Sequence, residues 1–339
     1  MSTVRRASVR PPRPSTPPPP PLREPFTQRL QLFTGKGGVG KSSVVAALAL
    51  EAAARGLSPL IVELGHRASM EGVFGHNGIG YEPSAVGHGV AAMNMDFQLA
   101  LVDYMTEHVK VKAISKAIVE NRALRGFFDA APAVPEIVTL NRLRQLIEAR
   151  QGAGFRHNPV LVDLDATGHA LMLLELPSVL DGLIGGGPLR RLLMSLSTMI
   201  RDPQLTRLHI VTLPGELPAQ ETLELYAKLV ARKVPLGALI VNQVPEEPFG
   251  PEVELLDDLE ARARIASQSA LLLEIALARR ALQRQKLAST QIERLTKALP
   301  LPVIRLPLVL GSGIAVDDLK NLGRLLVGSG ANASSADAQ

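Results

Sequence analysis

The chain has no cysteine and no tryptophan, and only 3% of its 339 residues are aromatic. Without thiols there can be no disulfide framework, no thiolate-bound zinc or iron–sulfur centre and no cysteine nucleophile. Apolar runs are also short: Asp165, Glu175, Arg207 and Arg305 break the best candidates before they reach the roughly 18 residues of a membrane-spanning helix. No apolar stretch of the secretory-leader kind follows the first arginines. A cytoplasmic protein is therefore expected, at most peripheral to a membrane. With 46% hydrophobic and 20% charged residues, the chain can bury a sizeable core in one large domain or two ordinary ones.

The formal charge of +5 does not belong to the body of the chain. Residues 1–25 carry Arg5, Arg6, Arg10, Arg13 and Arg23 against Glu24, a net +4, and hold nine of the 26 prolines. The other 314 residues contain 32 basic (37 less 5) and 31 acidic (32 less 1) side chains. A basic face for nucleic acid is thus not expected on the body. A disordered Pro/Arg-rich tail is expected at 1–26, since such a composition offers little apolar surface to offset the cost of ordering. A second, small and polar tail is expected at 329–339, with the domain proper spanning 27–328.

Between the tails, short apolar runs each end at a polar residue, glycine or proline: Leu30–Thr34, Leu60–Glu63, Val160–Asp163, Leu208–Thr212, Leu239–Asn242 and Val303–Pro307. Helical patterns separate them, beginning with the alanine-rich Ser42–Arg55. This alternation predicts an α/β fold with a doubly wound, mostly parallel sheet, whose ligands sit just beyond the strand ends. Two longer helical stretches, about 97–150 and 178–200, read as insertions forming a helical subdomain on one side. Glu252–Leu299, laced with both signs of charge, reads as a solvated helical hairpin.

The run Gly35-Lys36-Gly37-Gly38-Val39-Gly40-Lys41-Ser42-Ser43 carries the chemistry. It fits G-x-x-x-x-G-K-[ST] and lies between a strand and a helix, where glycines let backbone N–H groups turn around phosphate oxygens and the helix N-terminus favours anions. Lys41 would reach the β- and γ-phosphates, and the Ser42 hydroxyl would bind Mg²⁺ directly. A second lysine at Lys36 marks the deviant form of the loop, in which that lysine reaches a partner subunit's nucleotide.

These residues, with Asp163-Leu164-Asp165-Ala166-Thr167-Gly168-His169-Ala170-Leu171 and the stretch Asp202-Pro203 to Glu221-Thr222, resemble the ArsA-type ATPases, the arsenite-pump and tail-anchored-protein targeting ATPases with a P-loop NTPase fold. The resemblance implies ATP and Mg²⁺, a nucleotide-switched homodimer and a hydrophobic helix or membrane-associated protein as the load. It places Asp163 on Mg²⁺ through water, Asn242 at the adenine and Pro307 in the late loop beside the base. A groove lined by Leu192, Met194 and Met199 would suit an apolar load. The Thr167-Gly168-His169 switch and the helical insertions set the chain apart from positioning and partitioning ATPases that share the loop.

Two departures sharpen the expectation. Where the family's first switch carries an Asp that positions the attacking water, this chain has Gly65. Glu63, Asp165 and His66 are the candidates to replace it, and a nucleotide-dependent scaffold with little or no turnover is the alternative. The missing cysteines remove the family's thiol chemistry with arsenite and its zinc clamp, so neither zinc, iron–sulfur nor arsenite is expected.

Overall fold

The computed structural model describes residues 25–65, 68–109, 134–164, 171–175, 187–246, 255–311 and 313–328. The expected tails therefore lie almost wholly outside the described residues, as do His66, Asp165 and parts of both helical stretches.

All six expected strands form: β1 (Leu30–Thr34), β2 (Leu60–Leu64), β7 (Val160–Leu164), β8 (Thr206–Thr212), β9 (Leu236–Val244) and β10 (Val303–Pro307). Two more, β3 (Ser84–Gly87) and β4 (Val90–Asn94), bring the sheet to eight strands in the order β10-β9-β8-β1-β7-β2-β4-β3. Every pairing is parallel except β3 with β4. That hairpin turns on His88 and Gly89, both at positive φ (52° and 75°), as a two-residue turn matched to strand twist requires. A separate small hairpin, β5 (Arg150–Gln151) with β6 (Gly154–Phe155), precedes β7.

Both faces of the central strands are apolar because both are covered. Side chains alternate along β1 and β2: Leu30, Leu32, Leu60 and Val62 enter one core, Phe33 and Ile61 the other. The second core is closed by α1 (Lys41–Ala54) and α9 (Val316–Leu326). Helix α1 buries Ala46, Ala47, Ala49 and Ala52 beside Val44, Val45, Leu48 and Leu50, and Gly323 of α9 lies so close that a Cβ there would come 2.4 Å from the Ala47 carbonyl oxygen. The short α2 (Ser69–Phe74) adds Met70 to the same core.

On the opposite face lie α4 (Val134–Glu148), α5 (Pro188–Arg201), α6 (Glu216–Ala231) and the C-terminal part of α8 (Ser269–Ala298). Helix α3 (Phe97–Val109) packs on α4 through Ala100, Leu101 and Val138. Tyr81 Oη donates to Asp103 (2.7 Å), and Arg142 stacks on the Tyr81 ring while pairing with Asp103 and Glu82. The expected groove does not form from its three named residues. Leu192 and Met199 are buried in the sheet core, whereas Met194 is half exposed, because the helical period turns them to different sides of α5.

Helix α7 (Leu255–Ile265) and α8 make the expected hairpin, with Arg279 of α8 paired to Asp257 and Glu260 of α7. It is only partly solvated. Ile292 and Leu295 of α8 and the following Leu299 are buried against the sheet.

Candidate active site

The site assembles at the C-terminal ends of three adjacent strands, β1, β7 and β2. β1 stops at Thr34 and the chain turns through Gly35 to Gly40 into α1. Two glycines are obligatory here. Gly35 has φ 153° and a Cβ would stand 2.1 Å from the Val211 carbonyl oxygen of β8, while Gly40 has φ 85° and a Cβ would stand 2.3 Å from the Asn242 amide nitrogen. The loop is thus wedged between backbone on one side and the Asn242 side chain on the other. No side chain caps α1, and its first turn holds no acidic residue, so the backbone N–H groups of the loop and first turn remain open to an anion.

Lys41 folds back over the loop, its Nζ 3.2 Å from the carbonyl oxygens of both Gly35 and Lys36. Ser42 Oγ donates to Asp163 Oδ2 at 2.6 Å, because β1 and β7 are paired in register at Phe33 and Asp163. The same register on the other side of β7 sets Glu63 opposite Asp163. Lys41, Ser42, Asp163, Glu63, Gly65 and Ser69 all line one cavity of about 400 Å³.

Glu63 is 3% exposed. Its Oε1 accepts the Met70 N–H (3.2 Å), and its Oε2 has no hydrogen-bond partner among the described residues. Burial pushes its carboxyl up to about 7, with Asp163 adding to the rise and hydrogen bonds from Met70 and Ser69 opposing it. Gly65 borders the cavity without a side chain. Of the other water-positioning candidates, Asp165 and His66 lie outside the described residues.

The remaining expected residues lie further off. Asn242, on β9, is 5% exposed and donates from Nδ2 to the Val39 carbonyl (3.0 Å), so its amide already braces the loop. Pro307 ends β10 at the sheet edge, three strands from β1, and does not line the cavity. Lys36 turns away from Lys41 to an ion pair with Glu221 of α6. Reading the sequence missed that partner. Glu221 falls in the stretch from Asp202 to Thr222, but nothing in its spacing points to the loop.

Hard oxygen donors are what the site offers a cation. Among the described residues no three His, Asp or Glu side chains gather into a metal cage, while the Ser42 hydroxyl and Asp163 carboxylate meet beside the anion-binding loop. That donor set fits Mg²⁺, which keeps most of its water and is shared with phosphate. No helix among the described residues is long and apolar enough to cross a membrane.

The model of the anion-transporting ATPase (ArsA) family matches residues 28–196, the stretch that supplies β1, the loop, Glu63 and Asp163. The chain is 28% identical over 221 residues to the ATPase BagA of Mycobacterium tuberculosis, covering 63% of this chain and 65% of that protein. It is 24% identical over 266 residues to the ATPase GET3C of Arabidopsis thaliana, covering 64% and 67%, and 25% identical over 272 residues to the ATPase ARSA1 of Chlamydomonas reinhardtii, covering 63% and 34%. The match thus spans just under two thirds of the length of the mycobacterial relative. On the matched strands, loop and cavity taken together, the chain belongs to the ArsA-type ATPase family.

Proposed function

We propose that this protein is a Mg²⁺-dependent ATPase that works as a nucleotide-switched homodimer. The observation that carries the reading is the convergence of Lys41, Ser42, Asp163 and Glu63 on one cavity at the mouth of the phosphate loop. The loop N–H groups and Lys41 hold the triphosphate. Ser42 would hold Mg²⁺ directly and Asp163 through water, and the ion would neutralise phosphate charge. Asn242 fixes the loop's position next to the base, with Pro307 proposed further along the base pocket.

Glu63 takes the part of the absent first-switch carboxylate. A buried carboxyl with one oxygen unpaired among the described residues, facing the cavity from the strand next to Asp163, can orient a water and accept its proton. Lys36 serves the nucleotide of a second copy once the two close. The domain is 27–328, and its helices at about 97–150 and 178–200 are the parts proposed to move and to carry an apolar load, a hydrophobic helix or membrane-associated protein. Leu189 and Met194, both exposed on α5, support a contact surface there. That relatives bear the name ATPase supports turnover.

Gly65, bare of any side chain at the cavity wall, favours one other reading: a scaffold that binds ATP and dimerises without turning it over. Oligomeric state and phosphate release, measured together on the parent and on Lys41→Ala in ATP and Mg²⁺, separate them. Dimerisation with steady phosphate release, both lost in Lys41→Ala, supports the ATPase. Dimerisation without release supports the scaffold, and an unaffected Lys41→Ala removes the site.

A further inference from the structure

Lys36 has glycine on both sides, so nothing local supports its side chain, and it is 54% exposed. Its ammonium nevertheless has a defined place, on the carboxylate of Glu221. Glu221 stands on a rigid mount. Thr222, the next residue on α6, donates to Thr212 Oγ1 of β8 (2.8 Å) and lies 2.7 Å from the Pro218 carbonyl oxygen, tying the first turns of the helix to the sheet.

Lys36 and Glu221 also border a second cavity, of about 420 Å³, on the β8 side of the loop, away from Glu63 and Asp163. Its wall includes Gly35, Thr212, Lys228 and Leu171. Glu221 Oε2 is buried, with no hydrogen-bond partner among the described residues. Lys228 borders the same cavity, but among the described residues it is Lys36 that pairs with this carboxylate.

We infer that Glu221 is a positioning residue that parks Lys36 within its own subunit in the nucleotide-free chain. On this inference, which rests on the homodimer proposed above, Lys36 must leave Glu221 before it can meet the partner's nucleotide. One ammonium cannot serve both anions, so the ion pair opposes closure until a second nucleotide-loaded copy offers phosphate in exchange. Lys36 and Glu221 are 54% and 30% exposed, which keeps the barrier small. A partly solvated ion pair of this kind is expected to shift an equilibrium about two- to fivefold.

The test uses the full chain and Glu221→Gln, which keeps the shape and removes the charge. First, the rate of Lys36 acetylation by dilute acetic anhydride is read by mass spectrometry without nucleotide. Second, dimerisation is followed by analytical ultracentrifugation in Mg²⁺ and a non-hydrolysable ATP analogue, for the parent, Glu221→Gln, Lys36→Ala and the double variant. The expected results are faster labelling of Lys36 in Glu221→Gln, and a protein concentration for half-dimerisation about four- to 25-fold lower than the parent's, since each dimer breaks two such pairs. Glu221→Gln should change nothing further in the Lys36→Ala background, which a merely structural role for Glu221 would not predict.

Unchanged labelling overturns the parking itself, whatever the dimer does. Unchanged or weaker dimerisation in Glu221→Gln, or an equal shift in the Lys36→Ala background, overturns the link to closure. If labelling rises but neither parent nor variant dimerises at saturating analogue, it is the homodimer reading that fails, and the link to closure falls with it.

Discussion

Replacing Glu63 by Gln should stabilise the nucleotide-free, Mg²⁺-free protein at alkaline pH and leave it nearly unchanged in acid. The folded chain raises this carboxyl from 4.5 to about 7, mainly by burial. Between those values the folded state holds a proton that the unfolded chain releases, so stability falls as pH rises through that window and levels off above it. Each pKa unit corresponds to about 1.36 kcal/mol, which sets an upper bound of about 3 kcal/mol on the charge penalty at pH 8. Glutamine keeps the shape and the acceptor for the Met70 N–H, but its own amide N–H groups need partners, so a gain of about 1–3 kcal/mol is expected. Urea unfolding of parent and variant at pH 8 and pH 4 measures it. A gain at pH 8 that shrinks almost to nothing at pH 4 fits the reasoning. An equal change at both pH values, or a loss at pH 8, would show that the carboxylate is not held against its charged form.

Gly35→Ala places a Cβ 2.1 Å from the Val211 carbonyl oxygen at φ 153°. It should abolish binding of a fluorescent ATP analogue while circular dichroism stays native, and parental affinity would refute the wedged-loop account. Ser42→Ala should lower MgATP affinity about tenfold or more and leave ATP affinity in EDTA close to the parent's, as titration calorimetry would show; equal losses with and without Mg²⁺ would count against Ser42 as the ion's ligand. Gly323→Ala pushes α9 off the Ala47 carbonyl and should cost about 1–3 kcal/mol, several degrees in Tm by thermal melting. An unchanged Tm would mean that the α1–α9 contact is looser than described.

The central sheet was legible because its strands are buried on both faces and so read as continuous apolar runs, each cut off by a polar residue, glycine or proline. β3 and β4 were not. Ser84–Gly87 and Val90–Asn94 are short and rich in Ser, Ala and Gly, and the surviving signal is the His88-Gly89 turn. Helix periodicity announced that α5 has an apolar face, but not which residues it gives to the sheet, so Leu192 and Met199 went to the core and Met194 to the surface. The phosphate loop was readable from local chemistry alone, since glycine spacing and a lysine are properties of one short segment. Glu63 beside Asp163 needed the strand order, because β7 enters the sheet between β1 and β2 from about a hundred residues downstream. The Lys36–Glu221 pair likewise joins residues 185 apart, a distance over which sequence carries no signal for a single ion pair.

Hydrolysis as proposed depends most directly on Glu63, so the decisive measurement is ATP affinity and steady-state phosphate release of Glu63→Gln beside the parent, at saturating MgATP and pH 8. Removing a group that orients and deprotonates the attacking water should lower turnover about 10²-fold or more while ATP affinity stays within about threefold, a change of under 1 kcal/mol. Phosphate release at the parental rate in Glu63→Gln would contradict the account.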